Sequence, residues 1–195
     1  MTAFFKRATL LAVLATASLL AADPAMKTLS IDEFFAGQLQ PLPLKLDVPK
    51  EYFHAEGLEV DDGYTYWMLP QAVKPAAATG DLPQTGYVWG KISLDVGYFA
   101  EQKKFSHEDS FKKELAAAGH ELVAHKKRNA GGHAVIASIM NFKMEDGSRR
   151  LIYSAYIATN IATNCIYLSY SPPSNFSKEQ AAKVWDAIID SISKK

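Results

Sequence analysis

Apolar residues recur at every second position in several segments of this chain, a spacing typical of β-strands that bury one face. Leu44, Leu46 and Val48 alternate with polar residues until Pro49, and "GYTYWMLP" predicts another short strand that ends at Pro70. The clearest alternation is in "YVWGKISLDVGYF". One predicted face of that strand carries Val88, Ile92, Leu94 and Val96, and the other carries Trp89, Lys91, Ser93 and Asp95.

Four later segments predict the rest of a sheet. They are "ELVAHKK", "HAVIASIMNFKM", "RLIYSAYIAT" and "NCIYLSYS", and the second is apolar on both faces, as in a strand covered on two sides. The sequences "NAGG" and "EDGS" predict tight turns, and the last two strands are predicted to join near Asn160. Because no repeat or long linker divides these elements, they indicate a single α+β domain.

Three segments predict helices. Ser30 opens a capping-box pattern at the start of a short helix in "SIDEFFAGQLQ". A second helix is predicted to begin at Ser106 and to end at Gly119. The third begins at Ser177, where Gln180 completes another capping box. The apolar face of the second helix would carry Phe111, Leu115 and Ala118, and that of the third Trp185, Ile188, Ile189 and Ile192.

The N-terminus has the pattern of an export signal. Lys6 and Arg7 precede the short apolar run "TLLAVLATASLLAA", with small residues at two cleavage positions, Ala17 and Ala22. Cleavage after Ala22 is favoured because the apolar run continues to Leu20, and an uncleaved membrane anchor is the alternative. The predicted organisation is a signal peptide over 1–22, an N-terminal segment with a short helix over 23–41, and one domain over 42–195. The alanine- and leucine-rich signal favours a bacterial periplasm.

Charge and composition narrow the class of protein. Lysine plus arginine and aspartate plus glutamate both number 21, so no overall positive field favours nucleic acid or a membrane surface as partner. The hydrophobic fraction of 48% is that of a globular protein rather than a disordered one. One cysteine excludes an internal disulfide, so stability must come from packing.

Cys165 is either a nucleophile or a small apolar strand residue. The alternation in "NCIYLSY" places Asn164, Ile166, Leu168 and Tyr170 on one face, and Cys165, Tyr167 and Ser169 on the other. No cysteine-protease signature surrounds it, and an activated thiol needs a base, a cation or a helix N-terminus beside it. We therefore predict a buried structural cysteine and no catalytic residue.

Five histidines raise the question of a metal site. None of them has the His-Glu-x-x-His spacing that places two imidazoles on one helical face. His125 and His133 could meet across the "NAGG" turn, and they are the weak candidates for metal ligands. No metal and no cofactor is predicted.

Aromatic residues beside a long connection indicate a recognition surface. Tyr64, Tyr66 and Trp67 precede the segment 71–86, which has little periodicity and two prolines. Trp89 follows this segment and joins them as a candidate binding residue. The alternative is that these rings pack against the sheet.

The order of elements, with the short matches "VPKEY", "YLSY" and "KVWDAIIDSI", resembles the PsbP-like and DcrB-like group of α/β/α sandwiches. The resemblance implies a largely antiparallel sheet flanked by helices. Members of that group are mostly accessory subunits, envelope proteins and adaptors, so it also implies a non-enzymatic binding role. The resemblance implies no particular site residue, because no site motif of the family accompanies it.

These observations lead to a ranked set of functions. The first is an exported, non-enzymatic binding or accessory protein that recognises another envelope protein. The alternatives are an immunity protein against a toxin delivered to the periplasm, a metal-dependent hydrolase using His125 and His133, and capture of a small ligand in a cleft between helix and sheet.

Overall fold

A computed structural model describes residues 24–31, 44–54, 65–74, 90–98, 107–158 and 164–194. The strands are β1 (Met26–Ser30), β2 (Leu44–Pro49), β3 (Tyr52–His54), β4 (Thr65–Pro70), β5 (Lys91–Tyr98), β6 (Glu121–Ala130), β7 (His133–Lys143), β8 (Arg149–Ala158), β9 (Asn164–Ser171) and β10 (Ser193–Lys194). The helices are α1 (Glu108–Ala117) and α2 (Lys178–Asp190), and a 3-10 turn covers Gln71–Val73.

Seven strands form one antiparallel sheet in the order β3-β4-β5-β9-β8-β7-β6. Strands β3 to β5 form one side of this sheet and β6 to β8 form the other. Strand β9 lies between the two sides and pairs with β5 and with β8. A second, three-stranded sheet has the order β1-β2-β10 and joins the two ends of the described chain. The architecture is α+β, as predicted.

Helix α2 and the small sheet cover one face of the large sheet, which we call the α2 face. The helix begins with the predicted capping box between Ser177 and Gln180. Its apolar stripe packs into the main core against the large sheet, where the Trp185 ring lies 5.7 Å from that of Tyr153. The alternating apolar residues of β2 are buried in the same core. This layer confirms the predicted helix stripe and the predicted strand from Leu44.

Helix α1 lies on the opposite face, which we call the α1 face. Phe111 and Leu115 pack in a smaller cluster against Leu122, Met140 and Ile152 of three neighbouring strands. Because Ile152 and Tyr153 are consecutive strand residues, their side chains lie on opposite faces of the sheet. The helices therefore flank the sheet, as the predicted layered fold requires.

Several boundaries differ from the sequence predictions. Ser30 is the last residue of β1, and its buried hydroxyl has no hydrogen-bond partner among the described residues. The residues that would complete the predicted capping box lie outside them. Ile31 is helical, and the rest of that predicted helix lies outside the described residues. His107, rather than Ser106, is the N-cap of α1, without a side-chain hydrogen bond. The short strands β1, β3 and β10 have no clear two-residue alternation, and their pairing partners define them.

Within the described ranges, neither helix is both long and apolar enough to cross a membrane.

The turn between β6 and β7 packs against the chain that follows α2. Gly131 and Gly132 have φ angles of 55° and 83°, which explains why the "NAGG" turn contains two glycines. A Cβ atom at Gly131 would lie 2.2 Å from the Ile192 carbonyl oxygen and 2.5 Å from the Ser193 Cα. Gly131 is therefore needed both for its backbone conformation and for this close contact.

We expect Gly131→Ala to lower the free energy of unfolding by about 3 kcal/mol, the sum of a left-handed backbone penalty and an overpacking cost. Gly147→Ala is the matched control, because Gly147 also has a positive φ of 80° but a Cβ atom added there would meet no other atom within 4 Å. It should cost only about 1 kcal/mol, the backbone penalty alone. Urea unfolding of both variants measures the difference, and equal losses would contradict the contact.

Candidate binding surface

Trp67 lies on the α1 face of β4, near the β3 edge of the large sheet. It pairs with Ser93 of β5, and Lys91 is its diagonal neighbour two residues before Ser93. The Lys91 ammonium lies over the half-buried indole ring, with Nζ 4.0 Å from the ring centroid. The alternation of β4 and β5 thus brings an aromatic ring and a cation together at the sheet surface.

A second aromatic–cation pair lies beside the first. Phe53 of β3 pairs with Leu69, so its ring is on the same face as Trp67. Lys74, directly after the 3-10 turn, places its ammonium 5.5 Å from the centroid of the half-buried Phe53 ring. We call Phe53, Trp67, Lys74 and Lys91 the aromatic edge.

The two lysines of the aromatic edge differ in environment. Burial lowers the pKa of Lys91, and the nearby Asp95 carboxylate opposes that shift. Lys74 is exposed. Aromatic rings capped by ammonium groups can receive both an apolar group and a carboxylate from a partner, and cation–π contacts of this kind contribute about 0.5–2 kcal/mol. The edge is therefore chemically suited to recognition.

Next to Trp67, a row of hydroxyl side chains crosses the α1 face from strand to strand. Cross-strand pairing connects Ser93, Ser169, Ser154, Ser138 and finally His125. Ser93, Ser138 and Ser154 are buried, and the Ser93 and Ser169 hydroxyls lie 3.2 Å apart. This serine row gives the α1 face a polar centre, in contrast to the apolar α2 face.

His125 ends the serine row beneath helix α1. Its Nδ1 lies 2.9 Å from the Ser138 Oγ, and its ring is 5.9 Å from that of Phe111. Its Nε2 is buried and has no hydrogen-bond partner within the part of the chain that the structure describes. In a hydrolytic triad an acidic group orients the imidazole while the serine hydroxyl faces substrate. Here the hydroxyl belongs to Ser138, which is only 4% exposed, so the pair is a cross-strand contact within the sheet.

His125 and His133, the weak candidates for metal ligands, do not meet across the turn. His125 pairs with Ser138 on the α1 face, whereas His133 shares the α2 face with Val135. The His133 Nδ1 instead lies 3.0 Å from the Ala158 carbonyl oxygen. His133 pairs with Ala130, which lies five residues after His125 on β6, so the two imidazoles are on opposite faces of the sheet. Within the described residues, no three histidine, cysteine or acidic side chains are grouped to hold a metal ion.

Cys165 is a fully buried strand residue, as predicted. It is 0% exposed and lies on β9 between Gly97 of β5 and Ala158 of β8. Its face is that of Tyr167, whose ring contacts Tyr156 with centroids 4.8 Å apart. The thiol therefore has no open path to substrate, which supports its structural interpretation.

The predicted aromatic surface is described only in part. Tyr64, Trp89 and most of the segment 71–86 lie outside the described residues, as does the side chain of Tyr66, whose backbone pairs with Leu94. Trp67 is half-buried, which is compatible both with a recognition surface and with packing against the sheet. The sequence pattern did not indicate Phe53 or Lys74 as binding residues. Phe53 follows a proline-containing stop in the sequence, and only the pairing of β3 with β4 brings it beside Trp67.

The chain matches no protein-family model and no curated protein sequence. Solved structures resemble it through the fold. Cyanobacterial PsbP (CyanoP) from Synechocystis sp. PCC 6803 aligns with a TM-score of 0.56 at 8% identity, covering 90% of this chain and 95% of CyanoP. LpqN of Mycobacterium tuberculosis, involved in cell envelope biogenesis, gives 0.54 at 11%, covering 87% and 90%. The Saccharomyces cerevisiae Ran-binding protein Mog1p gives 0.53 at 10%, covering 88% and 96%.

The architecture first defines an α+β protein with a seven-stranded antiparallel sheet between helices. The structural matches then show that this architecture is a Mog1/PsbP-like fold. This confirms the resemblance that the order of elements implied.

The environment of His125 predicts how stability depends on pH. Burial lowers its pKa, Glu108 raises it and Lys127 lowers it. Below the ordinary histidine pKa of about 6.5 the unfolded chain therefore binds the proton first, and the free energy of unfolding falls as the pH drops further. We expect His125→Gln to reduce the loss of stability between about pH 7.5 and about pH 5, measured by urea unfolding.

His107→Gln is the matched control, because His107 is exposed. It shows how much of any change comes from replacing an exposed histidine by glutamine. If His125→Gln and His107→Gln gave the same slope as wild type, His125 would not be held neutral by the fold.

Proposed function

We propose that this chain is an exported, non-enzymatic binding or accessory protein that recognises another protein of the bacterial envelope. The observation that carries the proposal is the aromatic edge, where the rings of Phe53 and Trp67 lie beneath the ammonium groups of Lys74 and Lys91. Aromatic residues are enriched at protein interfaces because one rigid side chain supplies a large contact area.

The position of the aromatic edge supports this role. The described part of β3 pairs Tyr52, Phe53 and His54 with β4, and β5 pairs with β4 on its other side. Phe53 and Trp67 therefore lie on neighbouring strands and on the same face, near the β3 end of the described sheet. An aromatic side chain at that place can contact a partner while β5 holds its backbone from the other side.

The chemistry of the described side chains also favours binding over catalysis. Cys165 and Ser138 are buried, and His125 is bonded to a sheet hydroxyl on one side and to no acidic group on the other. The two histidines of the metal-hydrolase hypothesis are on opposite faces. A binding role needs none of these groups to be accessible.

The structural relatives support the same proposal. Mog1p is a Ran-binding protein and LpqN is involved in cell envelope biogenesis. A fold that serves a protein-binding role in one relative and an envelope role in another is compatible with both parts of the proposal, while fold by itself does not fix function.

The recognition surface is tested by capture from a bacterial envelope extract. We expect Trp67→Ala and Phe53→Ala each to reduce recovery of the partner about tenfold or more, since aromatic hot spots contribute about 2 kcal/mol or more. Lys112→Ala combined with Lys113→Ala changes two exposed residues of α1 and should leave recovery unchanged. Thermal unfolding of each variant separates lost contact from lost folding. Unchanged recovery by folded Trp67→Ala would refute the surface.

Export is tested separately by cell fractionation. Residues 1–22 carry the proposed signal, so the full chain should reach the periplasm and begin at Asp23 after processing. Deletion of 2–22 should retain the chain in the cytoplasm. N-terminal sequencing of the periplasmic protein checks the cleavage position, and an intact chain in the membrane fraction would show an uncleaved anchor instead.

A further inference from the structure

Strand β6 is the last strand of the described large sheet, at the end opposite to the aromatic edge. The strand order begins with β3 and finishes with β6, so six strand spacings of about 4.8 Å each put these two strands roughly 29 Å apart. Strand β7 pairs with one side of β6. In the ranges that the structure describes, no strand pairs with its other side, which we call the outer edge of β6.

The backbone of this outer edge is long enough to receive another strand. The register between β6 and β7 shifts between Leu122 and Ala124 and is then regular from Ala124 to Ala130. In an antiparallel pair, every second residue directs its amide and carbonyl groups towards the partner strand, and the residues between them direct theirs away. The regular part of β6 therefore presents a row of outward backbone groups, which is the usual template for strand addition.

Side chains on both faces of β6 are exposed beside this row. Val123, at the shift in register, is 54% exposed, and Lys126, Lys127 and Asn129 are also exposed. The described chain thus leaves the outer edge open. Irregular register and lysines are features by which edge strands avoid pairing with the wrong strand, so they indicate selection among partners.

Two lysines determine which strand the outer edge selects. Lys126 pairs with Ala137 on the α2 face, and Lys127 pairs with Ile136 on the α1 face. Within the described residues, neither lysine side chain takes part in a hydrogen bond or an ion pair. Arg128, by contrast, is held by the Asp190 carboxylate at 3.1 Å. The outer edge therefore offers one available ammonium group on each face.

An added strand matches this arrangement because its own side chains alternate between the two faces. Two consecutive acidic residues would place one carboxylate beside Lys126 and the other beside Lys127. Opposite charges on neighbouring strands stabilise the pairing, and like charges destabilise it. A second copy of β6 would bring another run of three basic residues, 126–128, to this edge, so it is less suited than an acidic strand.

A small cavity lies next to the outer edge on the α2 face. It encloses about 100 Å³, and its apolar lining comes from Ala124, Ala137, Ile139 and Trp185. The Trp185 ring contacts Tyr153 of β8, so α2 borders the cavity on the side of the sheet centre. On the β6 side, Ala124 contributes only a methyl group, and an aliphatic side chain beside it can reach Ile139 on β7.

The size of the cavity fits one side chain. An apolar cavity of about 150 Å³ accepts benzene, so about 100 Å³ takes an aliphatic group smaller than a ring. In strand addition, main-chain hydrogen bonds supply affinity and pockets for alternate side chains supply specificity. We propose that the outer edge of β6 binds an extended acidic segment of a partner protein as an added strand. Consecutive acidic side chains contact Lys126 and Lys127, and an aliphatic side chain enters the cavity beside Ala124.

The test is binding of a fluorescent nonapeptide of alternating valine and threonine with two adjacent glutamates at its centre. The chain from Asp23 onward should bind it, and Lys126→Glu combined with Lys127→Glu should weaken binding about tenfold or more, because both charge pairs become repulsive. Fluorescence anisotropy measures the affinity. Lys50→Glu combined with Lys178→Glu reverses two exposed charges outside β6 and β7 and is the matched control, which should bind as wild type.

Two further variants separate the cavity from the aromatic edge. Ala137→Leu fills the cavity and should weaken binding of the nonapeptide, and unchanged binding by this variant would overturn the part assigned to the cavity. Trp67→Ala should leave binding unchanged, so failure here is distinct from failure of the aromatic edge. Urea unfolding shows that each variant is folded before its affinity is compared.

Amide hydrogen exchange, followed by NMR, tests strand addition directly. The nonapeptide should slow exchange at every second amide between Ala124 and Ala130, whereas contact through side chains alone would leave these amides unchanged. Unchanged exchange would overturn the proposal, as would equal peptide binding by wild type and the Lys126→Glu, Lys127→Glu variant. Dimerisation that protects the same amides without peptide would also overturn it, in favour of a second copy of this chain.

Discussion

The contact between helix α2 and the large sheet is the interaction on which the remaining structure depends. Val184, Trp185, Ile188 and Ile189 of the helix are all buried in the main core. Burying one large apolar side chain stabilises a protein by about 1.5–3 kcal/mol, so these four outweigh any single polar contact described above. The end of α2 also fixes the small sheet, because the Ser191 hydroxyl accepts from the Asp47 amide at 2.6 Å and β10 pairs with β2.

The opposite face of the sheet is organised differently. Helix α1 packs through a cluster of only a few apolar residues, and the centre of that face is the serine row. Hydroxyls can be buried at little cost when they bond to neighbours across strands, but they contribute much less than apolar contacts do. The α1 face is therefore the less strongly held layer, and it contains His125, whose pKa is lowered by burial.

The aromatic edge lies on β3 and β4, at one end of the strand order of the described sheet. Strand pairing fixes the backbone there, while the side chains of Phe53 and Trp67 are only partly covered. Such positions can contact a partner without exposing the core.

The hydrophobic pattern alone determined the main strands, both helices and the faces of β5 and β9, because a period of two or 3.6 residues is a local property. It also predicted the buried Cys165 and the glycine turn. Only tertiary structure decided where β1, β3 and β10 form, since strands of two to five residues are defined by their partners. Tertiary structure also separated His125 from His133, and it brought Phe53 beside Trp67. Such neighbours come from register and from connections between distant segments, and a linear sequence does not contain those distances.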